Sequence, residues 1–324
     1  MKAIVRDRYG PPEVVVELRE VDKPVPADDE VLVRVRAASL NRLDWYEVTG
    51  TPYIGRPRGG LRKPKDNRLG VDFAGEVEAV GKNVTQFRPG DGVFGARGGA
   101  LAEYVCAPED RRIVKKPVGA TFEQAATLPV AALTALQGLR DKGGVQPGHK
   151  VLIDGASGGV GTFAVQFAKA LGAEVTAVCS TSKVETAGSI GADYVIDYSK
   201  EDFTLAGDRY DVILDVAGAR PWSEYRRVLE PQATLVMVGA PKGSRLLGPL
   251  GHIAKVFLAA RRSSQKAVFF VAKMNKPDLT ILGEYVEAGT VKPVVDRQYE
   301  LSEGAEALRY LGEGHARGKV VVTV

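Results

Sequence analysis

Residues 151–181, VLIDGASGGVGTFAVQFAKALGAEVTAVCST, decide the fold of this chain. Val151, Leu152 and Ile153 form a short apolar run suited to a buried parallel strand. Glycines follow at 155, 158, 159 and 161. Phe163, Phe167, Ala170 and Leu171 then recur at helical spacing until Gly172 ends the helix. Residues 175–179 are the next strand. The unit is βαβ, with its glycines at the strand-to-helix turn, where a dinucleotide pyrophosphate meets a helix N-terminus.

The glycine register is specific. Ala156, Gly158 and Gly161 fill the three positions of G-x-G-x-x-G, with Ala in the first. Gly158 lets the backbone approach the pyrophosphate, and Gly161 lets the helix pack close to the strand. Ala156, Ser157, Gly158, Gly159, Val160 and Gly161 are the expected cofactor contacts. An ordinary glycine-rich turn is the alternative, but strand, turn, helix and second strand all fall in register. The end of the second strand selects the nucleotide. Ser180 stands where an NAD enzyme usually carries Asp or Glu for the ribose hydroxyls, and Lys183 follows. A hydroxyl and an ammonium suit a 2′-phosphate, so the expected cofactor is NADPH. The alternative is that Lys183 is a solvated helix-start lysine, and Glu185 weakens the positive field.

Working outward, the 324 residues suffice for two domains. A net charge of +4 is too small to argue for nucleic acid. Cys106 and Cys179 are far apart and in apolar contexts, which suggests free thiols in a reducing compartment and excludes a four-cysteine zinc lobe. The N-terminus has no apolar core of signal-peptide length, and no apolar run approaches the ~20 residues of a membrane span. The expected location is the cytoplasm.

Residues 1 to 120 alternate short runs with Pro and Gly turns, as in a β-rich, partly barrel-like domain. One such run, 14–18, reads as a strand, and 125–139 reads as an apolar helix. Beyond the glycine turn, strands are expected at 194–196, 211–216, 234–238 and 267–271. Ala217, Gly218, Gly239 and Val271 lie at the ends of these strands, which face the cofactor crevice in such a fold. The tail returns to helix, strand, helix, strand. The fold class is therefore α/β, a doubly wound parallel sheet joined to a β-rich domain. The expected division is 125–271 for the nucleotide domain, and 1–124 with 272–324 for the other. Residues 56–68, RPRGGLRKPKDNR, hold six basic residues against Asp66. They read as a solvated loop, as a flap that draws anionic ligands to a substrate mouth, or least readily as a nucleic-acid contact.

Further motifs are GVDFAGEVEAVG (70–81), FRPGDGVFG (87–95), AATLPVAALTA (125–135) and GKVV near the end. With the glycine turn they make the chain resemble the medium-chain dehydrogenase/reductase superfamily, in its zinc-independent quinone oxidoreductase (zeta-crystallin-like) branch. The resemblance implies a Rossmann domain and a GroES-like domain, and a homodimer. Aligned through Asp44, Gly70, Gly75 and Thr134, the metal-ligand positions of the zinc alcohol dehydrogenases here read Asn41, Val71 and Val130. Two aliphatics and an amide cannot make a three-ligand zinc site, and His149, His252 and His315 fall in no metal spacing. No metal is expected.

NRLDWYEV (41–48) matches the family's N-x-x-D-x-Y pattern. The resemblance implies Asn41 near the nicotinamide ribose, Tyr46 in the substrate pocket, Thr134 at the nicotinamide end and Tyr198 at the adenosine-phosphate end. Tyr46 can offer its hydroxyl to a developing oxyanion or serve as a wall aromatic. The expected function is metal-free hydride transfer from NADPH to a quinone or an α,β-unsaturated carbonyl. The alternatives are a zinc-free alcohol or carbonyl dehydrogenase, and an NADPH-binding scaffold protein. The strand at 267–271 is apolar enough to pair across a subunit interface.

Overall fold

The computed structural model describes residues 1–218, 220–239 and 249–324. Two compact units divide the chain, Met1–Leu133 with Lys273–Val324, and Thr134–Ala272.

The first unit begins with β1 (Lys2–Val5), α1 (Pro12–Val15), β2 (Glu17–Glu20), β3 (Glu30–Leu40), α2 (Arg42–Thr49) and α3 (Arg56–Gly59). It continues through β4 (Asp72–Val80), β5 (Gly92–Ala96), β6 (Tyr104–Pro108), β7 (Ile113–Lys115) and α4 (Phe122–Ala126). The strand expected over 14–18 is split. Pro11 and Pro12 lock their dihedrals and open the short helix α1, and extended backbone resumes only at Val16. The helix expected over 125–139 forms, with irregular winding that runs on in wide turns over Gly138–Gly143. Wide turns over Leu128–Ala132, with Pro129 among them, lie between α4 and α5 (Leu133–Gln137).

In the second unit β8 (Lys150–Asp154), α6 (Gly159–Ala170), β9 (Glu174–Cys179), α7 (Val184–Ser189) and β10 (Tyr194–Asp197) alternate in chain order. They are followed by β11 (Tyr210–Asp215), α8 (Trp222–Val228), β12 (Leu229–Met237), α9 (Leu250–Ala260) and β13 (Lys266–Phe269). The six strands pair in the order β10-β9-β8-β11-β12-β13, all parallel. The order turns back at β8 and β11, which is the switch point where α/β sheets bind ligands. Leu152, Ile213 and Leu235 on adjacent strands share one core with Tyr225, Trp222 and Val256. The apolar runs of these strands are thus covered by helices, as a parallel sheet requires.

The chain returns to the first unit through α10 (Lys276–Glu287), β14 (Val295–Glu300), α11 (Gly304–Glu313) and β15 (Lys319–Thr323). There β14-β15-β3-β4-β5-β7 form one sheet, with β6 also on β3. Val31, Val33 and Val35 of β3 pack with Phe73, Val93 and Ile113. At the other end of β3, Ala38 and Leu40 join Val320, Val322, Leu69 and Leu308 in a second core. Strand β15 pairs with β3 over Ala37 to Leu40, so the tail completes the sheet that carries the start of α2.

Candidate functional site

In the second unit the glycine turn closes over the C-terminal ends of β8 and β11. Gly155 adopts φ +87°, open to glycine. A Cβ on Gly161 would stand 2.1 Å from the Gly155 carbonyl oxygen, so this position needs glycine for the helix to approach the strand. Gly158 differs. It caps α6 without a side-chain cap, and a Cβ there would meet only the Gly155 oxygen, at 3.7 Å. The first amides of a twelve-residue helix are therefore left without a capping side chain, above open space. This cradle fits a dinucleotide pyrophosphate, with Gly158, Gly159, Val160 and Gly161 placed to hold it.

The other expected cofactor residues are placed as follows. Ala156 and Ser157 are buried beneath the turn, and the Ala156 amide donates to Val178 O. Ser180 and Lys183 are half-buried just past β9. Asp197 ends β10 beside Cys179, accepts from Thr181 Oγ1 at 2.6 Å and lies 3.4 Å from Lys200 Nζ. The hydrogen bond from Thr181 holds its carboxyl below the usual range. A carboxylate thus stands near the end of β9 after all, with a lysine against it. Tyr198 is exposed, Ala217 is exposed next to the β11 end, and Thr134 is half-buried on α5. Gly239 has an internal reason to be glycine, because a Cβ would lie 1.9 Å from Val216 O. Val271 lies beyond the end of β13, which stops at Phe269, and is 78% exposed.

In the first unit Asn41 and Tyr46 share α2, but they face different surroundings. Asn41 caps the helix, and its backbone amide donates to Asp44 Oδ2 at 2.6 Å. Its side chain is committed at both ends. Nδ2 donates to Asp72 Oδ2 at 2.9 Å, and Oδ1 accepts from Lys319 Nζ at 2.7 Å. Lys319, 2% exposed, also donates to Leu40 O at 2.9 Å and stands 3.7 Å from Asp72 Oδ2. Ser39 Oγ and the Val130 amide complete the shell of Asp72. Burial pushes the Asp44 carboxyl up to about 7 and that of Asp72 up to about 6, and burial lowers the Lys319 ammonium.

Asn41, Val71 and Val130 are thereby gathered around Asp72, as their alignment with metal-ligand positions requires. Their chemistry does not fit zinc. Val71 and Val130 have no donor atoms, the Asn41 oxygen is taken, and a buried ammonium stands among them. Among the described residues no group of three or more His, Cys, Asp and Glu is arranged to hold a metal.

Tyr46 lies one helical turn on. Its ring meets Trp45 edge-on at 5.5 Å, and the Arg42 guanidinium sits 5.6 Å from its centroid. Arg42 also donates to Leu311 O and Gly312 O, which ties α2 to α11. Tyr46 lines a cavity of about 580 Å³ within this unit, together with Val71, Leu43, Glu47 and Tyr9. That volume suits a small ligand. Arg56, Gly59, Lys65, Asp66 and Arg68 of the basic stretch form another wall of the same cavity. The side chains of Pro57 and Arg58 are outside the described residues.

Sequence reasoning missed Arg6 and Asp72, and did not foresee that Asp44 and Lys319 meet in one buried network. Arg6 lines the cavity, and Asp44, Asp72 and Lys319 form the buried network under α2. Asp154 and Asp215 end neighbouring strands β8 and β11, and Tyr225 Oη donates to Asp154 Oδ2 at 3.0 Å. Burial, then the neighbouring Asp154, pushes Asp215 up to about 7. The available signal was two apolar runs, VLID and DVILD, each ending in Asp. Parallel register brings those ends together.

A doubly wound parallel sheet with a bare glycine-lined helix N-terminus defines a dinucleotide-binding protein. A separate sheet unit with a tyrosine-lined cavity makes an oxidoreductase of two domains the class to expect. The alcohol dehydrogenase GroES-like domain family matches residues 27–118, and the zinc-binding dehydrogenase family matches residues 190–322. The chloroplastic quinone-oxidoreductase QR1 of Triphysaria versicolor is 33% identical over 99% of this chain and 98% of its own length. The chloroplastic NADPH-dependent alkenal/one oxidoreductase of Arabidopsis thaliana is 34% identical over 99% of this chain and 79% of its own length. The Escherichia coli quinone oxidoreductase solved in complex with NADPH superposes with a TM-score of 0.84 at 26% identity, covering 100% of both chains. The chain belongs to the medium-chain dehydrogenase/reductase superfamily, in its quinone oxidoreductase branch.

Proposed function

We propose that this protein is an NADPH-dependent, metal-free reductase of quinones or α,β-unsaturated carbonyls. The observation that carries the proposal is the bare glycine turn at Gly158, in a chain whose whole length matches quinone and alkenal/one reductases. Bound NADPH supplies a hydride from its reduced nicotinamide ring. The acceptor must already be electrophilic, because the residues at the metal-ligand positions cannot supply a Lewis acid.

Tyr46 donates its hydroxyl hydrogen bond to the acceptor oxygen, where negative charge develops. Asn41 acts as a positioning residue, with its second amide N–H left to meet the ribose or substrate. Lys319 and Asp72 hold it in place. The bare amides of α6 take the pyrophosphate, while Ser180 and Lys183 take the 2′-phosphate. Thr134 and Tyr198, as the family resemblance implies, and Ala217, Gly239 and Val271, from their places after the strand ends, complete the proposed cofactor contacts. The protein is proposed to act as a homodimer in the cytoplasm. Support for that compartment is the pair of free thiols, Cys106 and Cys179. Among the described residues no helix is long and apolar enough to cross a membrane.

The test is NADPH oxidation by chelator-treated protein with an ortho-quinone, a para-quinone, an enone and a saturated ketone. Turnover of a quinone or enone with the saturated ketone inert is expected. Turnover of the saturated ketone, or activity that returns only with zinc, would overturn the proposal. NADPH is expected to bind at least about tenfold more tightly than NADH, as one charge-assisted contact to the 2′-phosphate provides.

A further inference from the structure

Arg6 is the group in the Tyr46 cavity that the proposed reduction does not use. It is 5% exposed, yet among the described residues its Nε and Nη1 have no hydrogen-bond partner. Buried guanidinium nitrogens are ordinarily hydrogen-bonded. Its surroundings explain why the protein itself does not satisfy it. Glu47 and Asp66 lie in its field, but neither pairs with it. Asp66 serves Arg68, accepting from Nε and Nη2 at 3.3 Å each. The Tyr9 ring stands against Arg6 at 5.7 Å and against Arg56 at 4.6 Å, and Tyr9 Oη is anchored on Gly60 O. Both guanidinium groups are thus held on one rigid ring. The cavity wall carries four cations, Arg6, Arg56, Lys65 and Arg68, against two carboxylates, Glu47 and Asp66. Its excess charge is positive, in the cavity that Tyr46 also lines.

We propose that the acceptor carries an anionic group, a carboxylate on a quinone or enone, and that the Arg6 guanidinium receives it. This rests on the reductase function proposed above and names its substrate class. A guanidinium matches a carboxylate in a planar, two-point bond. Held at Arg6, the acid end fixes the molecule's orientation and leaves the electrophilic end for Tyr46, so one cavity both selects and aligns the acceptor.

The test separates binding from turnover. Calorimetry on the full chain with NADP+ compares 4-oxo-4-phenylbutanoate with its primary amide, neither of which has a reducible alkene. The acid is expected to bind roughly tenfold to a hundredfold more tightly than the amide, the range of a charged hydrogen bond. In Arg6→Gln the ratio is expected to fall within about threefold of unity. Equal binding of acid and amide to the wild type overturns the inference. So does an Arg6→Gln variant that weakens both alike, since that is the mark of a purely structural arginine. If Arg6→Gln does not fold, Arg6→Lys is used. It is expected to keep the preference at reduced size, and an undiminished ratio overturns the fork as receiver. Turnover of 4-oxo-4-phenylbut-2-enoate and its amide forms the second arm. Reduction of both without acid preference overturns this inference alone. Tight acid binding without reduction of either overturns the reductase proposal and leaves the anion site standing.

Discussion

Single side chains carry the chemistry, and two of them make opposite predictions. Lys319 is the one cation inside the network of Asn41, Asp72 and Asp44. Replacing it with methionine strands buried carboxyls without a counter-charge. Lys319→Met is expected to lose about 3–5 kcal/mol of stability in denaturant titrations at pH 8; a loss below about 1 kcal/mol would show that the network does not depend on its cation. Tyr46 has no such structural burden, since it lines a cavity and is only half-buried. Tyr46→Phe is expected to lower kcat/KM by about tenfold to a hundredfold with NADPH affinity unchanged. Unaltered turnover would reduce Tyr46 to a shape-giving aromatic. Asn41 and Tyr46 were legible in the sequence as a motif. Their separate surroundings were not, because spacing along a helix does not say which buried partner waits on each face.

At the level of elements, the glycine turn shows two kinds of glycine side by side. Gly161 is needed by the fold, and Gly158 is proposed to be needed by the ligand. Gly161→Ala sets a Cβ against the Gly155 carbonyl and is expected to destabilise the free protein by on the order of 1–3 kcal/mol. Gly158→Ala enters open space, so thermal stability without cofactor should hold while the NADPH Kd rises at least about tenfold. Equal stability losses in both variants would refute the distinction. Strand β13 is the other informative element. It closes one edge of the six-stranded sheet, paired among the described residues only with β12, and its residues are half-buried at most. An unpaired apolar edge invites a second copy. Light scattering at micromolar concentration is expected to give the mass of two chains, and a monomer would remove the homodimer from the proposal.

For the whole molecule, buried acids set the response to pH. Asp215 titrates near 7 in the fold against 3.8 ordinarily. Its neighbours are Asp154, Tyr225, Arg220 and the Gly218 amide. Between those values the folded state keeps a proton that the unfolded chain has released, so stability falls as pH rises from about 4 through about 7. Asp215→Asn should therefore gain on the order of 1–3 kcal/mol at pH 8 and nothing near pH 4. A variant whose gain is the same at both pH values would contradict this. The βαβ unit, the parallel strands and the cofactor turn were determined by the sequence alone. Apolar runs, helical periodicity and glycine spacing are local patterns, and local sterics and burial act on them directly. The helix over 125–139 belongs to the same local level, although its wide turns around Pro129 were not foreseen. Only the tertiary structure could bring Lys319 to Asn41, put Asp154 beside Asp215, and seat Arg6 in the cavity that Tyr46 shares with the basic stretch. Those groups are far apart in the chain. Their pairing, their desolvation and their lack of a partner exist only once the sheets have set the register.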